Sequence, residues 1–191
     1  ATAARALAET GRSFTIRLPE PSPPAEGSQI SQLADYVVHE PDFVDALLAM
    51  PPCELDGELF GMLLGVLRTA LSKHPEYADL HFHAARTLER LGRIDEAIDH
   101  ANQAACINPR YVQAMLHLGE LYARQGRIDE AIDELETAVD AGGDYPDVHC
   151  RIAGLMREQD RSDAARHHLQ RALELNSNYA EAAAELQRPA A

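Results

Sequence analysis

Residues 91–98 read LGRIDEAI and residues 125–132 read QGRIDEAI, so two segments 34 residues apart differ only in their first amino acid. Four tyrosines continue the same spacing along the chain, and they are Tyr77, Tyr111, Tyr145 and Tyr179. A fixed period of about 20 to 50 residues is the signature of a repeat protein, in which each unit is one supersecondary element. We therefore divide the middle of the chain into three units, 78–111, 112–145 and 146–179.

Each unit predicts two helices joined by a turn. The first helices are expected at Ala78 to Leu91, Val112 to Gln125 and Pro146 to Gln159. The second helices are expected at Ile94 to Ile107, Ile128 to Val139 and Ser162 to Leu175. Gly92 and Gly126 lie between them, where a left-handed residue ends a helix. Apolar residues at unit positions 4, 7, 8 and 11 form a stripe on the first helix. A unit this small cannot bury that stripe alone, so the units are expected to stack as a solenoid.

The pattern of small residues, glycine, alanine and proline within the unit matches a known repeat. Position 8 is a small residue in every unit (Ala85, Gly119, Ala153), and positions 20 and 27 are alanine. Position 15 is glycine in units 1 and 2, and position 32 is Pro109 in unit 1. This 34-residue unit resembles the tetratricopeptide repeat (TPR) over residues 78–179. Unit 3 departs from the pattern with Asp160 at position 15. The resemblance implies an all-α fold, a right-handed superhelical solenoid of helix-turn-helix repeats with an N-terminal helical extension.

The flanking segments are expected to complete the solenoid. Residues 180–191 are predicted to form a capping helix and tail, in which Leu186 covers the last unit. Residues 29–77 are predicted to form a helical cap with a degenerate half-repeat, made of short helices at 31–38 and 42–50 and a long apolar helix at 57–73. Residues 1–28 read as a tail with a helix at 1–10, a short strand at 12–18 and a proline-rich linker at 19–28.

The composition excludes several classes of partner. The formal net charge is -14, which opposes binding to nucleic acid or to anionic lipid surfaces. The longest apolar run, 59–67, is too short to insert across a membrane. The three cysteines, Cys53, Cys106 and Cys150, are odd in number and far apart, which gives no disulfide framework and is typical of a cytoplasmic protein.

Motifs for catalysis or metal binding are missing from the sequence. It contains no phosphate-binding glycine loop, no nucleophile elbow and no zinc-protease motif. The neighbouring histidine pairs His81/His83 and His167/His168 diverge on a helix, and His149-Cys150 has no third ligand nearby in sequence, whereas zinc needs three or four. We therefore expect no enzyme activity, no metal and no cofactor.

The functional surface is expected on the face opposite the buried stripe, at positions 2, 5, 6, 9, 12 and 13 of each first helix. In TPR proteins this concave face commonly holds a partner peptide, and the resemblance implies that role here. The implied partner-binding residues are Phe82, His83, Arg86, Arg90, Leu116, His117, Glu120, Arg124, Arg151 and Arg157. Phe82 and Leu116 are expected to be exposed anchors, and the arginines to bind acidic groups of a protein or peptide partner.

Some TPR proteins clamp a C-terminal carboxylate with Lys and Asn at fixed groove positions. Those positions hold Phe82, Arg86, His117, Asp147 and Arg151 in this sequence, and only Arg86 and Arg151 have the required positive charge. The sequence therefore does not favour that kind of clamp.

Three alternatives remain open at the level of sequence. The chain could be a regulatory or assembly segment of a larger enzyme, such as a kinase or glycosyltransferase, because it lacks a starting Met and has a proline-rich linker. It could form a homo-oligomer through the apolar helix 59–71 together with Phe43, Leu47 and Leu48, if unit 1 leaves them uncovered. The inner face could also be merely solvated.

Overall fold

The computed structural model describes residues 26–51 and 56–188, and within those residues the chain forms ten helices and no strand. The helices are α1 (Glu26–His39), α2 (Pro41–Leu48), α3 (Asp56–Lys73), α4 (Ala78–Arg90), α5 (Ile94–Ile107), α6 (Val112–Arg124), α7 (Ile128–Asp140), α8 (Pro146–Glu158), α9 (Ser162–Leu175) and α10 (Ala180–Gln187). The predicted helix at 1–10, the strand at 12–18 and most of the linker lie outside the described residues.

The solenoid predicted from the repeat is confirmed. Helices α4 and α5, α6 and α7, and α8 and α9 pack as three hairpins, and α5 contacts α6 as α7 contacts α8. Each predicted first helix ends one residue earlier than expected, and α7 extends one residue further, to Asp140. Helix α10 packs against α9, and Leu186 contacts the central core.

A further hairpin precedes the three units. Helix α1 packs against α3, α3 packs against α4, and the short α2 lies between them in sequence and contacts α4. The prediction of a linker up to residue 28 is wrong at its end, because α1 begins at Glu26. Burial of Ala34 and Val37 against the N-terminal core stabilises α1 beyond what its local sequence indicates.

Two apolar clusters form the body of the core. The central cluster extends through the three units and includes the fully buried Leu88, Leu118 and Ile152, all from the predicted stripe. The N-terminal cluster joins α1, α2, α3 and α4 around Phe60 and Leu67, which are fully buried. No helix within the described residues is both long and apolar enough to cross a membrane.

The turn inside each hairpin has the same backbone conformation in all three units. The turn residues have φ of 72° at Gly92, 75° at Gly126 and 57° at Asp160. The amide of Arg161 donates to the carbonyl oxygen of Met156 at 2.9 Å, which is the bond that closes a helix with a left-handed residue. Asp160 therefore adopts the left-handed conformation that glycine takes in the other units, although only a few per cent of non-glycine residues do so.

Candidate functional site

The inner face consists of positions 2, 5, 6, 9, 12 and 13 of α4, α6 and α8. The first turn of each helix presents a polar residue there: Asp79, Gln113 and Asp147. The face opens further towards the C-terminal units, where Arg151 is exposed. In unit 1, however, the middle of the face is buried. The inner face is therefore a polar surface with a buried apolar segment at its N-terminal end and the buried Cys150 in unit 3.

Phe82 is the centre of that buried segment, with 8% of its surface exposed. Its ring centroid lies 5.2 Å from that of Tyr111 and 5.8 Å from that of His117. The prediction that Phe82 is an exposed anchor is wrong, because Tyr111 packs against its ring. Leu116, the other predicted anchor, is half-buried against the central core. His83, also predicted on the open face, is 3% exposed.

Four arginines of the inner face form ion pairs with acids of the neighbouring unit or of the flanking helices α2 and α10. These pairs are Arg86–Asp45, Arg124–Glu89, Arg151–Glu120 and Arg157–Glu185. The Arg90 guanidinium donates to the backbone oxygen of Met50 at 3.1 Å and lies 4.6 Å from the Phe60 ring centroid. We call the four pairs the inner ladder.

The inner ladder changes what the arginines can do. Sequence reasoning assigned them to acidic groups of a partner, but each ladder arginine already has a carboxylate of its own chain. Arg124 and Arg151 are about half exposed, with 54% and 49% of their side chains accessible. An exposed ion pair contributes at most about 1 kcal/mol, so exchange of its carboxylate for another has a small energetic cost.

A cavity of about 440 Å³ opens on the inner face where α2, α4 and α6 meet. Three aspartates line it: Asp42 and Asp45 from α2, and Asp79 from the first turn of α4. Phe82 and Tyr111 supply its aromatic wall. Burial and the nearby Asp79 carboxylate raise the pKa of the Tyr111 hydroxyl, which stays protonated.

His83, which is buried and lines this cavity, and His117, which is half-buried and packs against Phe82, each lack a hydrogen bond at one ring nitrogen. The Nδ1 atom of His83 and the Nε2 atom of His117 have no partner among the described residues. Burial lowers the pKa of His83, and it lowers the pKa of His117 to about 4. Both rings are therefore neutral at neutral pH, and neither adds positive charge to the inner face.

Sequence reasoning missed two parts of this cavity. It placed α2 in the N-terminal cap and gave no role to Asp42 or Asp45, whose position depends on how α2 crosses α4. It also used Tyr111 only as a marker of the repeat. Because Tyr111 lies at position 34, next to the inner face of the following helix, the repeat spacing itself could have indicated its place.

Two histidine pairs join the helices within a hairpin, a feature that the sequence analysis did not find. The Nδ1 atoms of His81 and His100 are 3.1 Å apart, and those of His149 and His168 are 2.9 Å apart. In unit 3 the Nε2 atom of His149 lies 2.8 Å from an oxygen of Asp144. Residues 26–51 and 56–188 contain no group of three or more side chains placed to hold a metal ion.

The described cysteines are free thiols in different settings. Cys106 is exposed and Cys150 is buried. Burial, reinforced by the Glu181 carboxylate, raises the pKa of the Cys150 thiol to about 11. Because the thiolate is the nucleophilic form of cysteine, Cys150 is unreactive at neutral pH.

The repeat and its helical hairpins match known families at the level of sequence. Two family models described as tetratricopeptide repeat match residues 64–108 and 90–155. Residues 64–155 of the chain therefore consist of tetratricopeptide repeats. TPR proteins generally act as protein–protein interaction scaffolds rather than as enzymes. No curated protein sequence matches the chain.

Solved structures share the TPR fold at low sequence identity. YrrB, a TPR protein with an unusual peptide-binding site, is 18% identical with a TM-score of 0.59, over 69% of this chain and 68% of YrrB. TTC0263, a thermophilic TPR protein of Thermus thermophilus, is 21% identical with a TM-score of 0.57, over 84% of this chain and 88% of TTC0263. The first TPR of Spaghetti (RPAP3), bound to the HSP90 peptide SRMEEVD, is 23% identical with a TM-score of 0.53, over 58% of this chain and 87% of that chain.

The positions that clamp a carboxylate in some TPR proteins have other contacts here. Arg86 and Arg151, the two that retain the required charge, pair with Asp45 and Glu120. Phe82 and His117 are packed against each other. The geometry therefore agrees with the sequence in giving no support to a carboxylate clamp.

Proposed function

We propose that this TPR protein is a non-enzymatic scaffold that binds a partner polypeptide along its inner face. The observation that carries the proposal is the cavity of about 440 Å³ at the N-terminal end of that face. Its volume lies within the range of about 300 to 1,000 Å³ that is usual for ligand sites. From the cavity, a partner would continue across α6 and α8.

The proposed contacts are those implied by the family resemblance, with roles revised by the structure. Phe82 and His83 form part of the cavity wall, and Arg124 and Arg151 are the accessible cations beyond it. The full set is Phe82, His83, Arg86, Arg90, Leu116, His117, Glu120, Arg124, Arg151 and Arg157. A carboxylate of the partner would replace Glu89 or Glu120 in the inner ladder.

The test is affinity for a partner captured from native lysate, then purified and titrated by calorimetry. Arg124→Gln together with Arg151→Gln is expected to weaken binding about tenfold, since each loses a charge-assisted hydrogen bond to the partner. Arg93→Gln is the matched control, because Arg93 also pairs with a glutamate, Glu96, but lies at the start of α5 outside the inner face. Equal affinity of the double variant and the wild-type protein would exclude the inner face.

The proposed setting is the cytoplasm. The support is that the described cysteines, Cys106 and Cys150, form no disulfide, as is usual in a reducing compartment. The same face would serve a regulatory or assembly domain of a larger enzyme, and the complete reading frame distinguishes that arrangement.

Self-association through the apolar face of α3 is less well supported. Phe60, Leu63, Leu67 and Leu71 are buried in the N-terminal core, so that face is covered within the chain. Met62 remains 68% exposed on the other side of α3. We therefore assign the binding role to the inner face.

A further inference from the structure

We propose that the cavity between α2, α4 and α6 receives an arginine side chain of the partner polypeptide. The inference rests on the proposed function, since it names the residue that the partner presents to this end of the inner face. It adds a cationic residue to the acidic groups that the proposed function assigns to the partner, because the cavity lining carries an excess of negative charge.

Negative charge dominates the cavity lining. Three aspartates and one arginine line it, which leaves an excess of two negative charges. Arg86 pairs with Asp45, so one carboxylate is neutralised within the chain. Asp42 and Asp79 form no ion pair with any residue of 26–51 or 56–188. Carboxylates of one sign in a concave site attract a group of the opposite charge and disfavour anions.

His83 supplies a second, independent indication of a ligand. It is 3% exposed and lines the cavity, and its Nδ1 atom has no hydrogen-bond partner. The nearest acidic oxygen, on Asp45, is 3.7 Å away, beyond hydrogen-bond range. A buried polar atom without a partner costs about 1 to 3 kcal/mol. A ligand N–H donor placed against Nδ1 would recover that cost.

The guanidinium group fits this combination better than an ammonium group. It carries five N–H donors in a fixed plane, so one group can donate to a carboxylate and to the His83 nitrogen together. A planar cation also stacks on aromatic faces. The cavity wall already shows this contact, since the Arg86 guanidinium lies 5.5 Å from the Phe82 ring centroid.

Units 2 and 3 do not repeat this arrangement. The position of His83 is occupied by His117 in unit 2 and by the cation Arg151 in unit 3. The position of Asp79 is occupied by Gln113 in unit 2. The contribution of α2, which brings Asp42 and Asp45, exists only at the N-terminal end of the array. The cavity is therefore a single site that fixes the register of a bound chain.

The experiment is an NMR titration of the full chain with Nα-acetyl-arginine amide. Nα-acetyl-citrulline amide, which has the same shape without the charge, and Nα-acetyl-lysine amide are the comparison probes. The arginine probe is expected to cause saturable shifts of the His83, Phe82 and Tyr111 ring resonances, at concentrations at least about tenfold below those needed for the other two probes.

Variants of the carboxylates locate the binding. Asp42→Asn and Asp79→Asn are each expected to weaken binding of the arginine probe about five- to tenfold. Asp147→Asn is the matched control, because Asp147 has the same repeat position as Asp79 and lies in the first turn of α8. Thermal unfolding of each variant verifies folding, and the comparison of probes on the wild-type chain does not depend on any variant.

Three results would overturn the inference. The first is an equal shift with the citrulline probe, and the second is the lack of any saturable shift of the cavity resonances with the arginine probe. The third is binding of the arginine probe only after Arg12→Gln and Arg17→Gln, which would identify the chain's own N-terminal segment as the occupant. The titration needs no partner protein. If the probe fails while the Arg124 and Arg151 variants still weaken capture, only the arginine assignment is wrong. If the probe binds and capture is unaffected, the proposed function is wrong.

Discussion

At the scale of single residues, the closest approach of two helices in a unit is at position 8 of the first helix. Unit 2 has Gly119 there, and a Cβ atom added to it would lie 2.8 Å from Cγ of Leu135 and 3.2 Å from the carbonyl oxygen of Ala131. Units 1 and 3 accommodate Ala85 and Ala153 at this position, both buried. Hairpin 2 is therefore packed more closely than the sequence pattern alone requires.

Gly119→Ala is expected to destabilise the protein by about 1 to 3 kcal/mol, since the added methyl group must displace Leu135 and the α7 backbone. Gly154→Ala is the matched control on the exposed side of α8, where nothing lies within 4 Å of the added atom. There the better helix propensity of alanine is expected to stabilise the protein by up to about 1 kcal/mol. Urea unfolding measures both, and changes of the same sign would contradict the packing argument.

At the scale of elements, the two helices within each hairpin of units 1 and 3 are joined by a histidine pair. An Nδ1–H···Nδ1 bond needs one ring to donate and the other to accept, so it is lost when both rings are protonated. Burial and the neighbouring His81 lower the pKa of His100. Burial and the neighbouring His149 lower the pKa of His168 to about 4. Unit 2 has Met115 and Glu134 at these positions and lacks the bond.

Acid is expected to destabilise the fold between about pH 6.5 and about 4. In that range the unfolded chain binds protons at histidines that stay neutral when folded, so the free energy of unfolding falls as pH falls. Each unit of pKa lowering corresponds to about 1.4 kcal/mol. Urea unfolding at pH 7.5 and pH 5 measures this fall in the free energy of unfolding. His168→Gln is expected to make the fall between the two pH values smaller.

The carboxyl groups act in a different pH range. The Arg171 guanidinium and His149 lower the pKa of Asp144, so its contribution to stability is lost only below the ordinary carboxyl range. A free energy of unfolding that stays constant from pH 7.5 to pH 5, or rises as pH falls, would contradict the histidine mechanism.

At the scale of the whole molecule, the main contacts of each unit within residues 26–51 and 56–188 are with its neighbours, and α1 with α3 and α10 cover the two ends. Stability in such an array is close to a sum of unit and interface terms. The inner ladder follows the same order, since the pairs Arg124–Glu89 and Arg151–Glu120 each join the first helices of adjacent units. A destabilising substitution in one unit is therefore expected to lower the stability of that unit and its neighbours more than that of distant units.

Leu169→Ala, in the last unit, is expected to lower the free energy of unfolding by about 2 to 5 kcal/mol. Hydrogen-exchange protection is expected to fall first in α8, α9 and α10, while α3 to α5 remain protected. Leu135→Ala is the matched control, because Leu135 occupies the same repeat position in the central unit and is as deeply buried. It is expected to lower protection on both sides of unit 2. Uniform loss of protection in both variants would indicate a single cooperative core instead.

The sequence alone was sufficient for the helices, their turns, the buried stripe and the stacking of units, because these depend on local periodicity that recurs every 34 residues. Even Asp160 followed the glycine conformation of its position. The limits of prediction lay where the repeat ends, as at α1, which begins before the predicted end of the linker and packs against α3.

Tertiary structure alone decided the character of the inner face. The burial of Phe82 depends on Tyr111, the partners of Arg86 and Arg151 lie 41 and 31 residues away, and the cavity requires α2 to cross α4. A repeat pattern assigns each position to a face of its own helix. Which side chain of another element meets it depends on the angles between helices, and those angles are set by the packing of the whole array.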